Sequence, residues 1–136
     1  MIQVIAGKKG SGKTKRILDM ANMATKDSKH DIVFIDDDNR YMFDLRHEVR
    51  FINASEYDLC SGEMFMGLLC GIVAQNFDVG LICIDAFKKL IKSDLESTEW
   101  FFKRLETIGE KHSVDFAISV SADEDELPDF IKKYVI

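Results

Sequence analysis

The residues best suited to chemistry lie near the start of the chain, in the stretch GKKGSGKT from Gly7 to Thr14. Its glycines allow tight turns that aim successive backbone N–H groups toward one point, and such a nest holds an anion. Lys13 adds a positive charge, and Thr14 adds a hydroxyl that suits Mg²⁺, which prefers oxygen ligands. The pattern fits G-x-x-x-x-G-K-S/T, the phosphate loop, so we expect this stretch to bind the phosphates of a nucleotide.

The context of the loop supports this interpretation. It follows the apolar run IQVIA and precedes a helical pattern, and the N-terminal end of a helix favours negative charge. The alternative is an ordinary glycine turn with solvated lysines. The residues expected at the phosphates are Gly7, Lys8, Lys9, Gly10, Ser11, Gly12, Lys13, Thr14 and Lys15.

Acidic residues end two further apolar runs. LICID ends at Asp85, which is expected to hold Mg²⁺, usually through water. IVFID ends at Asp36 and continues into Asp37 and Asp38, three successive carboxylates that repel one another unless a cation is near. We expect Asp36 to reach the metal and Asp38 or Asp37 to position an attacking water. A solvated turn that caps a helix is the alternative for this triplet.

A further candidate for contact with a phosphate is the polar end of the last predicted strand. The run ISVSA places Ser119 and Ser121 at the end of an apolar strand, where Ser119 could contact the outer phosphate. Ordinary serines at the end of a strand explain the same pattern. The two interpretations stay open at this level.

Strand and helix signals alternate along the chain. Apolar runs predict strands at residues 2–6, 32–36, 49–53, 81–85 and 115–120. Helical spacing of apolar residues predicts helices at residues 12–25, 63–75, 96–111 and 126–133. Strands that are apolar on both sides indicate a parallel sheet covered on both faces. We therefore expect an α/β fold of three layers, with a mostly parallel sheet of about five strands and every candidate residue at one sheet edge.

Composition limits the class of protein. A chain of 136 residues with 46% hydrophobic residues is expected to form a single domain over residues 1–136. Its net charge of −6 makes nucleic acid an unlikely partner. The cysteines Cys60, Cys70 and Cys83 lie in apolar segments and are expected to be packed thiols. Without a signal peptide or a long apolar span, the protein is expected in the cytoplasm, away from membranes.

In this order the residues resemble the RecA-like P-loop ATPases. FIDDDN is similar to that family's strand ending in an acidic residue that activates water, with Asp38 where the family has glutamate. LICID resembles its magnesium-linked strand, and ISVS its phosphate-sensing strand. The resemblance implies a minimal ATPase core that uses ATP and Mg²⁺. Because aspartate is shorter than glutamate, and Ala86 follows Asp85, hydrolysis is expected to be slow.

Other P-loop families fit less well. Lys8 stands where the deviant-loop ATPases of partition and division sites have an extra lysine, although Lys9 replaces their glycine. The DxxG and N/T-K-x-D motifs of GTPases are absent from the sequence, as is an arginine-rich lid of small-molecule kinases after Asp85. ATP is therefore the expected nucleotide.

Two functions and two contact surfaces remain open. The first function is a slow ATPase, and the second is a nucleotide-binding regulatory or interaction module without turnover. The segment MFMGLLCGIVA, from Met64 to Ala74, is either a buried helix or a surface for self-association or a protein partner. Trp100 beside Phe101 and Phe102 marks a second candidate contact, since three adjacent aromatics cannot all face one core.

Overall fold

The computed structural model describes residues 1–27 and 29–136. Strands and helices alternate along these ranges, as the sequence patterns predict. The strands are β1 (Ile2–Gly7), β2 (Asp31–Asp36), β3 (Val49–Asn53), β4 (Val79–Ile84) and β5 (Asp115–Ser121). The α-helices are α1 (Lys13–Asp27), α2 (Gly62–Gln75), α3 (Phe87–Ile91), α4 (Glu99–His112) and α5 (Asp129–Lys132).

The strands form one five-stranded sheet in the order β1-β5-β4-β2-β3. Every pair of neighbouring strands is parallel, which confirms the predicted parallel sheet. The order places β5 between β1, which precedes the glycine-rich loop, and β4, which precedes Asp85. Because the strands are parallel, their carboxyl ends lie along one edge, where ligands bind in folds of this kind.

Helices cover both faces of the sheet, which makes three layers. The sequence of strand β2 is continuously apolar because both of its faces are covered. Ile32 and Phe34 pack with Ile17 of α1 on one face. Val33 and Ile35 point the other way, into the larger core formed with α2, α3, α4 and α5. Alternating side chains of one strand are thus buried on opposite sides, as in sheets covered twice.

Aromatic packing anchors the short helix α3 behind the sheet edge. Phe87 of α3 is fully buried, and its ring centroid lies 5.4 Å from that of Phe101 and 5.6 Å from that of Phe102. Trp100, the third adjacent aromatic, is 36% exposed. The position of α3 therefore depends on α4, and one aromatic of the three does reach the surface.

The local structure differs from the prediction at three places. Helix α3 was not predicted, because five residues are too few for a helical period to appear. Helix α4 begins at Glu99 instead of residue 96, since Leu95–Ser97 forms a 3-10 turn. Helix α5 begins after Pro128, whose ring fixes the backbone at the helix start.

Two further findings concern the surface. The expectation that all three cysteines are packed thiols is wrong for Cys60, which is exposed, whereas Cys83 is buried. Among the described residues, no helix is long and apolar enough to cross a membrane.

Candidate nucleotide-binding site

The glycine-rich loop connects β1 to α1 and has two of its glycines in a backbone conformation that favours glycine. Gly10 and Gly12 have φ angles of +84° and +89°, which side chains of L-residues rarely tolerate. A Cβ at Gly7 would come too close to the exposed Ser11 side chain, which would then have to move. The loop then opens directly into α1, whose first N–H groups have no partner inside the helix. This arrangement is suited to holding an anion.

Lys13 is held inside the loop. Its side chain is buried, and Nζ donates a hydrogen bond of 2.9 Å to the backbone oxygen of Lys8. Burial lowers the pKa of Lys13, and the carboxylate of Asp85 partly opposes this effect. The ammonium group is therefore close to Asp85 and bonded to a carbonyl that an incoming phosphate oxygen could replace.

Asp85 joins three elements of the site. Its Oδ2 accepts a hydrogen bond of 3.1 Å from Oγ1 of Thr14, and its Oδ1 accepts a hydrogen bond from Oγ of Ser119. The N–H of Ala86 donates in turn to Oγ of Ser119, at 3.1 Å. Asp85 and Ser119 are both buried. The start of α1, the end of β4 and the end of β5 are thus fixed relative to one another by hydrogen bonds.

The acidic triplet follows β2 and its three members have different surroundings. Asp36 is buried, and its Oδ1 accepts a hydrogen bond of 2.7 Å from the N–H of Asp37. Asp37 lies 3.5 Å from Nζ of Lys89. Asp38 accepts a hydrogen bond of 2.9 Å from the N–H of Arg40 and has its side chain 43% exposed. One oxygen from each carboxylate lies within 4.8 Å of the other two.

Asp36 titrates far from its ordinary range. Burial raises its pKa to about 8, and a side-chain hydrogen bond with Asp37 and the charge of Asp85 act in the same direction. The strand register explains the last effect: Ile35 is paired with Ile84, so the residues that follow, Asp36 and Asp85, are neighbours. Without a cation, Asp36 therefore keeps its proton at neutral pH, and a cation bound beside it would favour the ionised carboxylate.

This raised pKa predicts how stability depends on pH without metal. The folded protein keeps the proton that the unfolded chain releases near pH 3.8, so ionisation of Asp36 costs stability as pH rises toward about 8. Asp36→Asn removes that cost. We expect this variant to exceed the wild type in free energy of unfolding by more than about 1 kcal/mol above pH 8, and by much less near pH 5.

Urea unfolding in the presence of a chelator at several pH values measures this difference. Asp44→Asn, at an exposed position, is the matched control. A constant difference between Asp36→Asn and the wild type across the pH range would contradict the assigned surroundings of Asp36.

A cavity of about 900 Å³ brings the candidate residues together at the carboxyl edge of the sheet. The predicted site residues that line it are Lys9, Gly10, Gly12, Lys13, Thr14, Lys15, Asp36, Asp37, Asp38, Asp85 and Ser119. Gly7, Lys8 and Ser11 belong to the loop but do not line the cavity. Lys8 instead directs its side chain to Asp123, at 3.4 Å.

The far wall of the cavity was not predicted. It consists of one flank of α1 and the loop after β2, with Asp19, Asn22, Tyr41 and Asp44 among its residues. Asn22 holds the loop to the helix, since its Nδ2 donates to the Asp44 oxygen at 2.9 Å and its Oδ1 accepts from the N–H of Arg46 at 2.8 Å. Such contacts join residues distant in sequence, and no local motif indicates them.

The second group of unpredicted residues follows Asp85. Ala86, Lys88 and Lys89 also line the cavity. Their closeness to Asp85 in sequence was an available signal, but only α3 directs the lysines to this side.

Comparisons with known proteins support the fold. Neither a family model nor a curated protein matches the sequence. Among solved structures, the chain is similar to domain III of the replication initiation protein DnaA from Thermotoga maritima, with a TM-score of 0.54 and 14% identity. The match covers 98% of this chain and 50% of the other, so the chain spans half the length of that structure. The chain has the three-layer α/β fold of that domain.

The donor atoms in the cavity suit Mg²⁺ and a nucleotide. Thr14, Asp36 and Asp85 offer hydroxyl and carboxylate oxygens, the hard ligands that Mg²⁺ prefers. Lys13 and the N-terminal N–H groups of α1 provide the opposite charge for phosphates. The site thus combines a metal-binding side with an anion-binding side.

Proposed function

We propose that this protein binds ATP with Mg²⁺ at the phosphate loop and hydrolyses it slowly. One observation carries the proposal: the loop opens α1 beside a large cavity, with Thr14 hydrogen-bonded to buried Asp85. This arrangement joins a phosphate-binding loop to a carboxylate placed for a phosphate-bound metal. The fold agrees with the proposal, because it is the fold of a P-loop ATPase domain.

The proposed mechanism assigns a role to each group. Backbone N–H groups of the loop bind the phosphates, and Lys13 exchanges the Lys8 oxygen for oxygens of the outer phosphates. Thr14 and Asp85, with Asp36 beside them, would hold the metal, which would neutralise charge on the phosphates. Asp38 or Asp37 orients the attacking water.

Slow turnover follows from the surroundings of the acidic residues. Asp38 accepts a hydrogen bond from the N–H of Arg40, and the guanidinium group of Arg40 lies 3.8 Å from the Asp38 carboxylate. Asp37 is paired with Lys89. These partners occupy part of the hydrogen-bonding capacity of each carboxylate, and we expect this to make the orientation of an attacking water less efficient.

We also propose that the protein is related to the RecA-like P-loop ATPases, and two features support this. Strand β5 lies between β1 and β4, and it carries the polar Ser119 beside Asp85. A protein partner through Trp100 or the segment from Met64 to Ala74 stays a prediction. In that segment Met64, Gly67 and Gly71 are exposed, whereas Phe65 and Leu69 are buried.

Phosphate release tests the hydrolytic part of the proposal. We expect slow, Mg²⁺-dependent release of phosphate from ATP by the wild type, and at least about a tenfold lower rate in Asp38→Asn with unchanged ATP affinity. Equal rates in both proteins would remove Asp38 from the reaction. ATP binding without release above the uncatalysed rate would favour the regulatory module.

A further inference from the structure

The short helix α3 begins immediately after the metal-side carboxylate. Ala86, between Asp85 and α3, has a φ of +60°, which is uncommon for a residue with a side chain. Its N–H is bonded to Oγ of Ser119, which helps to hold this sharp turn. The turn starts α3 at the mouth of the cavity instead of letting the chain continue away from it.

Core packing decides which side of α3 faces the cavity. Phe87, Leu90 and Ile91 are buried, with Phe87 against the aromatic rings of α4. The remaining positions of the helix, Lys88 and Lys89, are exposed and line the cavity of about 900 Å³. The backbone that carries the two lysines is therefore anchored by buried residues, and both side chains reach the cavity that Asp85 also lines.

The two lysines differ in their partners. Nζ of Lys89 lies 3.5 Å from Asp37. Within residues 1–27 and 29–136, the side chain of Lys88 has no hydrogen-bond or ion-pair partner. The positive charge of Lys88 thus has no direct partner. We expect the outermost phosphate to lie in this cavity next to Asp85.

We propose that Lys88 contacts the γ-phosphate of bound ATP and so distinguishes ATP from ADP. This inference rests on the proposed nucleotide binding and adds to it a cation that the chain supplies from α3. A lysine at this place interacts with the terminal phosphate and has much less to contact when that phosphate is missing. It also stabilises the charge that develops on the γ-phosphoryl group during transfer.

The test compares Lys88→Met with Lys92→Met in the full chain. Lys92 is an exposed lysine next to α3, but it lines a neighbouring cavity of about 530 Å³ and not the nucleotide cavity. Dissociation constants are measured with Mg²⁺ for ADP and for an ATP analogue with a nitrogen bridge between its β- and γ-phosphates. We expect Lys88→Met to raise the dissociation constant of the analogue by about tenfold and that of ADP by less than about twofold. Lys92→Met is expected to leave both constants near the wild-type values.

The possible results separate this inference from the function on which it rests. Wild-type protein that binds neither nucleotide removes the proposed function, and the role of Lys88 with it. Wild-type binding with an unchanged ratio of the two constants in Lys88→Met overturns the role of Lys88 alone. An equal loss in Lys88→Met and Lys92→Met would show only a general effect of charge, and this also overturns it.

Discussion

Lys13→Ala is expected to weaken ATP binding by at least about a hundredfold. The side chain is held inside the loop by its bond to the Lys8 oxygen, 2.9 Å away, so the ammonium is already in place when phosphates arrive. Alanine removes the only charged group that is buried within the loop from Gly7 to Thr14. The phosphates then lose the positive charge that offsets their own negative charge. Fluorescence or calorimetric titration with ATP and Mg²⁺ measures the change.

Lys9→Ala provides the matched control for this prediction. Lys9 lines the same cavity from the same loop, but it is exposed to solvent. We expect its replacement to weaken binding by no more than about threefold, because solvent screens an exposed charge. Similar losses in both variants, or wild-type affinity in Lys13→Ala, would contradict the role of Lys13. Urea unfolding of each variant shows whether the fold is retained.

Asp85→Asn is expected to abolish the contribution of Mg²⁺ to ATP binding. The amide oxygen can still accept a hydrogen bond from Thr14 or Ser119, so the local geometry is largely kept while the negative charge is lost. We expect Mg²⁺ to strengthen binding to the wild type by about tenfold or more, and to have little effect on the variant. The dissociation constant of ATP is measured with Mg²⁺ and with a chelator.

Asp44→Asn is the control for this second prediction, since Asp44 lines the far wall of the same cavity and is exposed. It should respond to Mg²⁺ as the wild type does. An Asp85→Asn variant that retains the full effect of Mg²⁺ would show that the metal-binding carboxylate lies elsewhere, with Asp36 as the next candidate.

The sequence was sufficient for the parts of the site that local chemistry determines. The loop from Gly7 to Thr14 has a pattern with few tolerant positions, and its glycines are where the backbone needs them. The place of Asp85 at the carboxyl edge of the sheet was predictable because this residue ends a continuously apolar run. The parallel sheet was predictable for the same reason, since strands buried on both faces are apolar at every position.

Other parts of the site depend on contacts between distant residues. Nothing in DDDNR itself shows that Asp36 is the buried carboxylate, because that follows from the register of β2 beside β4. The wall formed by Asn22 and Tyr41 depends on how a loop folds against α1. Lys88 faces the cavity only because Phe87 is held by α4.

Titration calorimetry of the purified wild-type chain with ATP and Mg²⁺ tests the central claim most directly. We expect saturable binding at a single site per chain, weaker when Mg²⁺ is removed and at least about a hundredfold weaker in Lys13→Ala. Absence of binding by the folded wild-type protein at about 1 mM ATP would contradict the assignment of Gly7 to Thr14 as a nucleotide-binding loop.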